Sequence, residues 1–236
     1  MNDTGRIPLL TILLEGELHD SDIPLFRGAV LHSMGGEADV LFHNHRGNDG
    51  YRYSYPLIQY KRLHGQPAIV CIGEGVEAIG QFLSEKHLTL QIGEETCEFG
   101  VSKVLPTTCL IKTWNSQMPY RLRRWLPLNS ENYERYKALE CMADKTTLLE
   151  KILVGNILSM CKGLGITIEE QIALVVTDIT RIGTQSYKCT RQLVFDVEFT
   201  TNISLPAYAG LGKNASVGFG IISRIIENNN TERNGK

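Results

Sequence analysis

Two stretches of this chain run through the same order of apolar strand-length and helical segments, and that repetition limits the folds open to it. Residues 7–14 (IPLLTILL) form an apolar run of strand length, with Pro8 near its start, where a strand tolerates proline. Ile23, Phe26, Val30 and Leu31 then recur at helical spacing, with Asp20 and Ser21 available as N-caps and Gly35-Gly36 as the stop. A loop carrying FHNHRGNDGY follows. Residues 53–63 and 67–72 have the pattern of two strands joined at His64-Gly65. Residues 74–86 suit a helix with Val76, Ile79, Phe82 and Leu83 on one face, and residues 88–92 alternate as a strand.

That order, βαββαβ, is the ferredoxin-like arrangement. The second half starts again with long extended segments over residues 107–127, around Trp114 and Trp125. From an Asn129 or Ser130 cap, one long helical stretch is expected to reach Cys161, with Leu148, Leu149, Ile152, Leu153, Ile157 and Leu158 facing inward. Gly163 and Gly165 end it. Residues 172–182 and 192–203 suit long paired strands. A glycine-rich stretch at 209–220 (AGLGKNASVGFG) precedes a last strand at 221–226. The expected fold is α+β, two ferredoxin-like halves side by side, the second with its last helix shortened or replaced by the glycine-rich loop. Residues 1–105 form the first domain with the histidine loop, residues 106–227 the second, and residues 228–236 a polar tail.

With 24 Lys and Arg against 26 Asp and Glu, the chain has no overall basic excess, so any nucleic-acid site must be a local patch. Its six cysteines contain no CxxC pair, which argues against a structural zinc site and a disulfide framework. Buried thiols in a reducing cytoplasm are expected instead. No segment approaches the roughly 20 apolar residues that span a bilayer, so no membrane partner is expected.

Three groups of residues could carry chemistry. His43 and His45 flank Asn44, with Arg46, Tyr51, Arg52, Tyr53 and Tyr55 close behind. Imidazole gives and takes protons near neutrality, as RNA transesterification requires: the ribose 2′-OH attacks phosphorus and the 5′-oxygen leaves. Solvated loop histidines are the plainer alternative. His32 has the position of a packed helical residue. Gly210, Gly212, Gly218 and Gly220 surround Lys213, Asn214 and Ser216; glycines admit a phosphate close to backbone amides, and the lysine adds charge. The stretch is not a P-loop, because Asn214 rather than Ser or Thr follows Lys213 and a strand comes next. A flexible hairpin is its plainer alternative. Arg121, Arg123 and Arg124, with Lys112 upstream, form the densest basic cluster; in extended geometry Arg121 and Arg123 point the same way, as tracking of phosphates requires. A solvated strand edge is the alternative there. No metal-ligand set and no cofactor motif is visible.

These residues resemble a known group. Two βαββαβ halves ending in GxGxxxxxGFG, here Gly210 to Gly220, resemble the repeat-associated mysterious protein superfamily. RGAVLHS, FHNHRG and YRYSYPLIQYKR resemble its branch of CRISPR repeat-cleaving endoribonucleases with paired histidines. The resemblance implies cleavage of pre-crRNA within each repeat, without a metal, leaving a 5′-hydroxyl and a 2′,3′-cyclic phosphate. It implies His43 and His45 as the catalytic pair, one the general acid and the other a base or orienting group, and Tyr51 or Tyr53 as the nearby tyrosine. Lys61 would be an electrostatic partner. CRISPR repeat RNA is the implied partner, with effector-complex subunits and a second copy of the chain as further candidates. Two other readings compete: a non-catalytic RNA-binding subunit of a CRISPR effector complex, and a small-molecule enzyme holding a nucleotide in the glycine-rich loop.

Overall fold

The computed structural model describes residues 5–33, 55–80, 87–92, 95–187 and 190–226. His43, His45, Tyr51, the expected stop at Gly35-Gly36, the end of the expected helix over 74–86 and the polar tail at 228–236 lie outside them.

The first half builds a five-stranded antiparallel sheet in the order β2-β3-β1-β5-β4. Its strands are β1 (Arg6–Leu14), β2 (Ile58–Leu63), β3 (Gln66–Ile72), β4 (His87–Ile92) and β5 (Glu95–Leu110). Helix α1 (Ile23–Ser33) covers one face through Ile23, Phe26 and Val30, which are fully buried. Burying each such side chain contributes roughly 1.5–3 kcal/mol. Its first turn closes with Phe26 N–H donating to the Asp22 carbonyl. Ser21 donates to the Asp22 carboxylate, and Asp20 pairs with Arg124.

The strand expected over 88–92 forms, but it is not the fourth strand of the ferredoxin-like set. That place beside β1 belongs to β5, whose residues 101–110 pair with β1, while β4 pairs only with the start of β5. Beyond β3, a short helix α2 (Gly75–Ala78) lies within the helix expected over 74–86.

The second half forms a four-stranded antiparallel sheet in the order β7-β8-β6-β9, from β6 (Thr113–Trp125), β7 (Leu174–Tyr187), β8 (Thr190–Ile203) and β9 (Ile221–Arg224). With β4 set aside as an addition at the edge, each sheet places its strands, counted in chain order, second, third, first, fourth, so the two halves are ferredoxin-like copies. Between β6 and β7 the expected single helix is two: α3 (Ser130–Ala138), capped by the Asn129 side chain accepting from Asn132 N–H, and α4 (Met142–Gly163). Leu139 and Cys141 are extended and break the helix between them. No helix separates β8 from β9; the glycine-rich stretch fills that place.

Both hydrophobic cores draw on both halves. One joins Leu9, Val70 and Ile72 to Leu122, Phe195 and Phe199 and to Leu149, Leu153, Ile157 and Met160 of α4. The other sets α1 and Tyr60 against Leu126, Val194, Val217 and Phe219. Cys71, Cys97, Cys109, Cys141 and Cys161 are free thiols. Among the described residues, no helix is long and apolar enough to cross a membrane.

Candidate nucleic-acid interface

In the first sheet, β2 lies at an edge, with β3 on one side. The glycine-rich loop lies along the other side: Tyr60 N–H donates to the Ser216 carbonyl at 2.8 Å, and Tyr60 pairs with Val217 as a short parallel bridge. A strand edge that would present unpaired backbone groups is therefore covered by the other half of the chain.

The side chains of β2 extend this contact. Gly210 N–H donates to Gln59 Oε1 at 2.8 Å, Gln59 Nε2 donates to the Tyr55 hydroxyl at 2.9 Å, and that hydroxyl donates to the Gly210 carbonyl at 2.9 Å. Burial pushes the Tyr55 hydroxyl's pKa up, so it stays a protonated donor. Two residues on, Lys61 is completely buried, and its Nζ lies 3.3 Å from the Ala215 carbonyl. Removing an ammonium from water disfavours its charge, and Arg124 nearby repels it. Burial first and Arg124 second pull the Lys61 pKa down to about 7.

Arg124 stands where β6 bulges. The pairing of β6 with β8 slips between Leu122 and Trp125, and Arg124 takes a left-handed φ of 53°. The bulge is held by Arg124 N–H donating to Asp196 Oδ1 at 2.6 Å. Its guanidinium lies over the Phe219 ring at 4.6 Å and pairs with Asp20 at 2.9 Å, so the segment before α1 is bound to the end of the glycine-rich loop. Along the same strand, Arg121 pairs with Glu198 at 2.6 Å, while Arg123 is exposed. Lys213 donates to the Leu128 carbonyl at 3.4 Å and to Gln192 Oε1 at 3.3 Å.

Close packing inside the protein accounts for the glycines themselves. A Cβ at Gly210 would come within 2.7 Å of the Ala215 Cβ, and one at Gly212 within 2.9 Å of Trp125 Nε1. At Gly218 it would strike Ile23, and at Gly220 the Leu211 carbonyl.

A model of the Cas6b N-terminal domain matches residues 5–108, and one of the Cas6b C-terminal domain matches residues 112–225. The chain belongs to the Cas6b family. A solved Cas6b structure superposes with a TM-score of 0.80 at 28% identity, covering 93% of this chain and all of the other. Another, described as a CRISPR RNA processing endoribonuclease Cas6b, gives 0.68 at 26% identity, covering 93% of this chain and all of that one. An uncharacterized protein of Methanocaldococcus jannaschii is 42% identical over 103 residues, 44% of this chain and 69% of its own length. The type IV Cas6 crRNA endonuclease Csf5 shares the fold at 17% identity, with a TM-score of 0.57.

Of the expected site residues of this Cas6b chain, His43, His45 and Tyr51 lie outside the described residues. Lys61, Arg124 and the four glycines are brought together at the seam between the halves. Arg121 and Arg123 lie along β6 from that seam, one paired and one exposed. Gln59 and Tyr55 were not singled out from the sequence. Their signal was the pair Gln59 and Lys61, two apart and so on one side of β2, where the structure buries both. Among the described residues, no group of three His, Cys, Asp or Glu residues could hold a metal ion.

Proposed function

We propose that this chain is an endoribonuclease that cuts CRISPR repeat RNA during pre-crRNA processing, using histidine general acid–base chemistry without a metal. The observation that carries the RNA-processing class is the relation to Cas6b across both halves, including a full-length match to a structure named for CRISPR RNA processing.

The chemistry follows from what RNA brings to the site. Its 2′-oxygen attacks the adjacent phosphorus and gives its proton to a base. The bond to the 5′-oxygen breaks, and that oxygen takes a proton from an acid. The products are a 2′,3′-cyclic phosphate and a 5′-hydroxyl. His43 and His45 are the proposed acid and base, and Tyr51 is the proposed hydroxyl acting with them. Arg123 and Lys213 would contact RNA phosphates, with Arg121 joining them if it leaves Glu198. Lys61 does not reach the surface, so its part is electrostatic, from behind the loop.

The test is cleavage of cognate repeat RNA with EDTA present. Product is expected to form and to carry a cyclic phosphate. His43→Ala and His45→Ala are expected to abolish product while RNA binding persists. Loss of activity with EDTA, restored by added metal, overturns the mechanism; cleavage undiminished in both histidine variants overturns the assignment.

A further inference from the structure

We propose that Gln59 and Tyr55 are positioning residues for RNA cleavage, fixing the path of the glycine-rich loop through a closed ring of hydrogen bonds at Gly210. This inference rests on the function proposed above.

The ring is directional and complete. Gly210 N–H donates to Gln59 Oε1, Gln59 Nε2 to Tyr55 Oη, and Tyr55 O–H to the Gly210 carbonyl, at 2.8, 2.9 and 2.9 Å. Nε2 also donates to the Pro56 carbonyl at 2.9 Å. Both amide protons and the amide oxygen of Gln59 are thus used, in a residue with no exposed surface. Glutamate lacks the donors, and leucine lacks both donors and acceptor. The ring therefore specifies its residues, not merely their volume.

Its geometry leaves little room for slack. Gly210 stands against Ala215 with no space for a Cβ, and Gly163, the last residue of α4, leaves none either, since a Cβ there would collide with the Tyr55 Cβ. The loop is thus pinned to one strand at three places: at Gly210 by the ring, at Ala215 by Lys61 Nζ, and at Ser216 by Tyr60 N–H. Between the pins, residues 212–214 are half-exposed, and Gly212 and Asn214 take left-handed φ values of 81° and 58°. These pins help to set where that apex stands, together with the bonds of Lys213 to Leu128 and Gln192. The ring is made of side chains, so substitution can loosen it while the backbone pin at Ser216 stays.

The experiment is single-turnover cleavage of cognate repeat RNA by the full chain at saturating protein, with RNA affinity and melting midpoint measured on the same samples. Tyr55→Phe deletes one hydroxyl. It is expected to slow the saturated rate about tenfold, because reacting groups tolerate little displacement, with affinity changed by less than about twofold. Gln59→Leu is expected to slow it at least as much, and the double variant no further than the worse single one, since the ring acts as a unit. Gln59→Glu should recover rate relative to the natural chain as pH falls, because a protonated carboxyl restores a donor to Tyr55. Folded variants that cleave within about twofold of the natural rate overturn the proposal, as do losses confined to affinity. If Gln59→Leu does not fold, Tyr55→Phe decides alone. Failure of the natural chain to cleave repeat RNA overturns the endoribonuclease function instead.

Discussion

The Lys61 amine lies 3.3 Å from the Ala215 carbonyl, a buried cation-former from the first half held against the glycine-rich loop of the second. A carbonyl offsets only part of what an ammonium loses on leaving water. The folded pKa of about 7 lies below the ordinary 10.5, so the unfolded chain holds more protons between those values. Stability from this group is therefore lowest below pH 7 and rises with pH above it. Lys61→Met is expected to stabilise the fold at pH 6 by an amount on the order of a few kcal/mol, and to lose that advantage towards pH 9. Urea unfolding of both proteins at a series of pH values checks the sign. An advantage that grows with pH would refute it.

Gly220 has a left-handed φ of 64°, and a Cβ there would collide with the Leu211 carbonyl, which is backbone and cannot rotate away. Gly220 N–H also donates to the Arg124 carbonyl at 3.0 Å, so a shift would disturb the β6 bulge. Gly220→Ala is expected to destabilise the protein by about 3 kcal/mol or more, read as a lowered denaturant midpoint.

Arg121 and Arg123 should differ as RNA contacts although they share a strand face. Arg121 must give up Glu198 before it can serve a phosphate, whereas Arg123 is already exposed. Arg123→Ala is expected to reduce the slope of log affinity against log salt by about 0.7 to 0.9, and Arg121→Ala by less. Titrations of repeat RNA from low to moderate salt give both slopes. Equal reductions would mean that the Glu198 pair opens without cost.

Trp125 is completely buried and donates from Nε1 to Asn156 Oδ1 of α4 at 2.9 Å. Asn156→Leu leaves that donor without its partner and is expected to cost about 1–3 kcal/mol in a thermal or urea melt.

Much of the architecture was legible in the sequence because strands buried on a face declare themselves. Residues 7–14 and 192–203 are apolar or alternating, and they form β1 and β8. β5 was misplaced for the opposite reason. Residues 102–104 and 106–108 are exposed, Pro106 lies within the strand, and pairing with β1, not burial, holds it. With no buried stripe to read, the tidier alternation at 88–92 took its place in the pattern. The break between α3 and α4 was equally silent, since residues 139–141 include neither Gly nor Pro. The glycine-rich loop stood out from composition alone, but its docking on β2 depends on residues far away in sequence. The one local trace of it is two polar residues, Gln59 and Lys61, on the same side of β2.

Because Ser216 and Val217 lie along the open side of β2, the cover for that edge comes from the second half of the chain. During synthesis the edge lacks this cover until residue 217 has emerged, and an uncovered strand edge is a template for pairing with other chains. Docking of the later-made segment then shields that line of backbone amides and carbonyls.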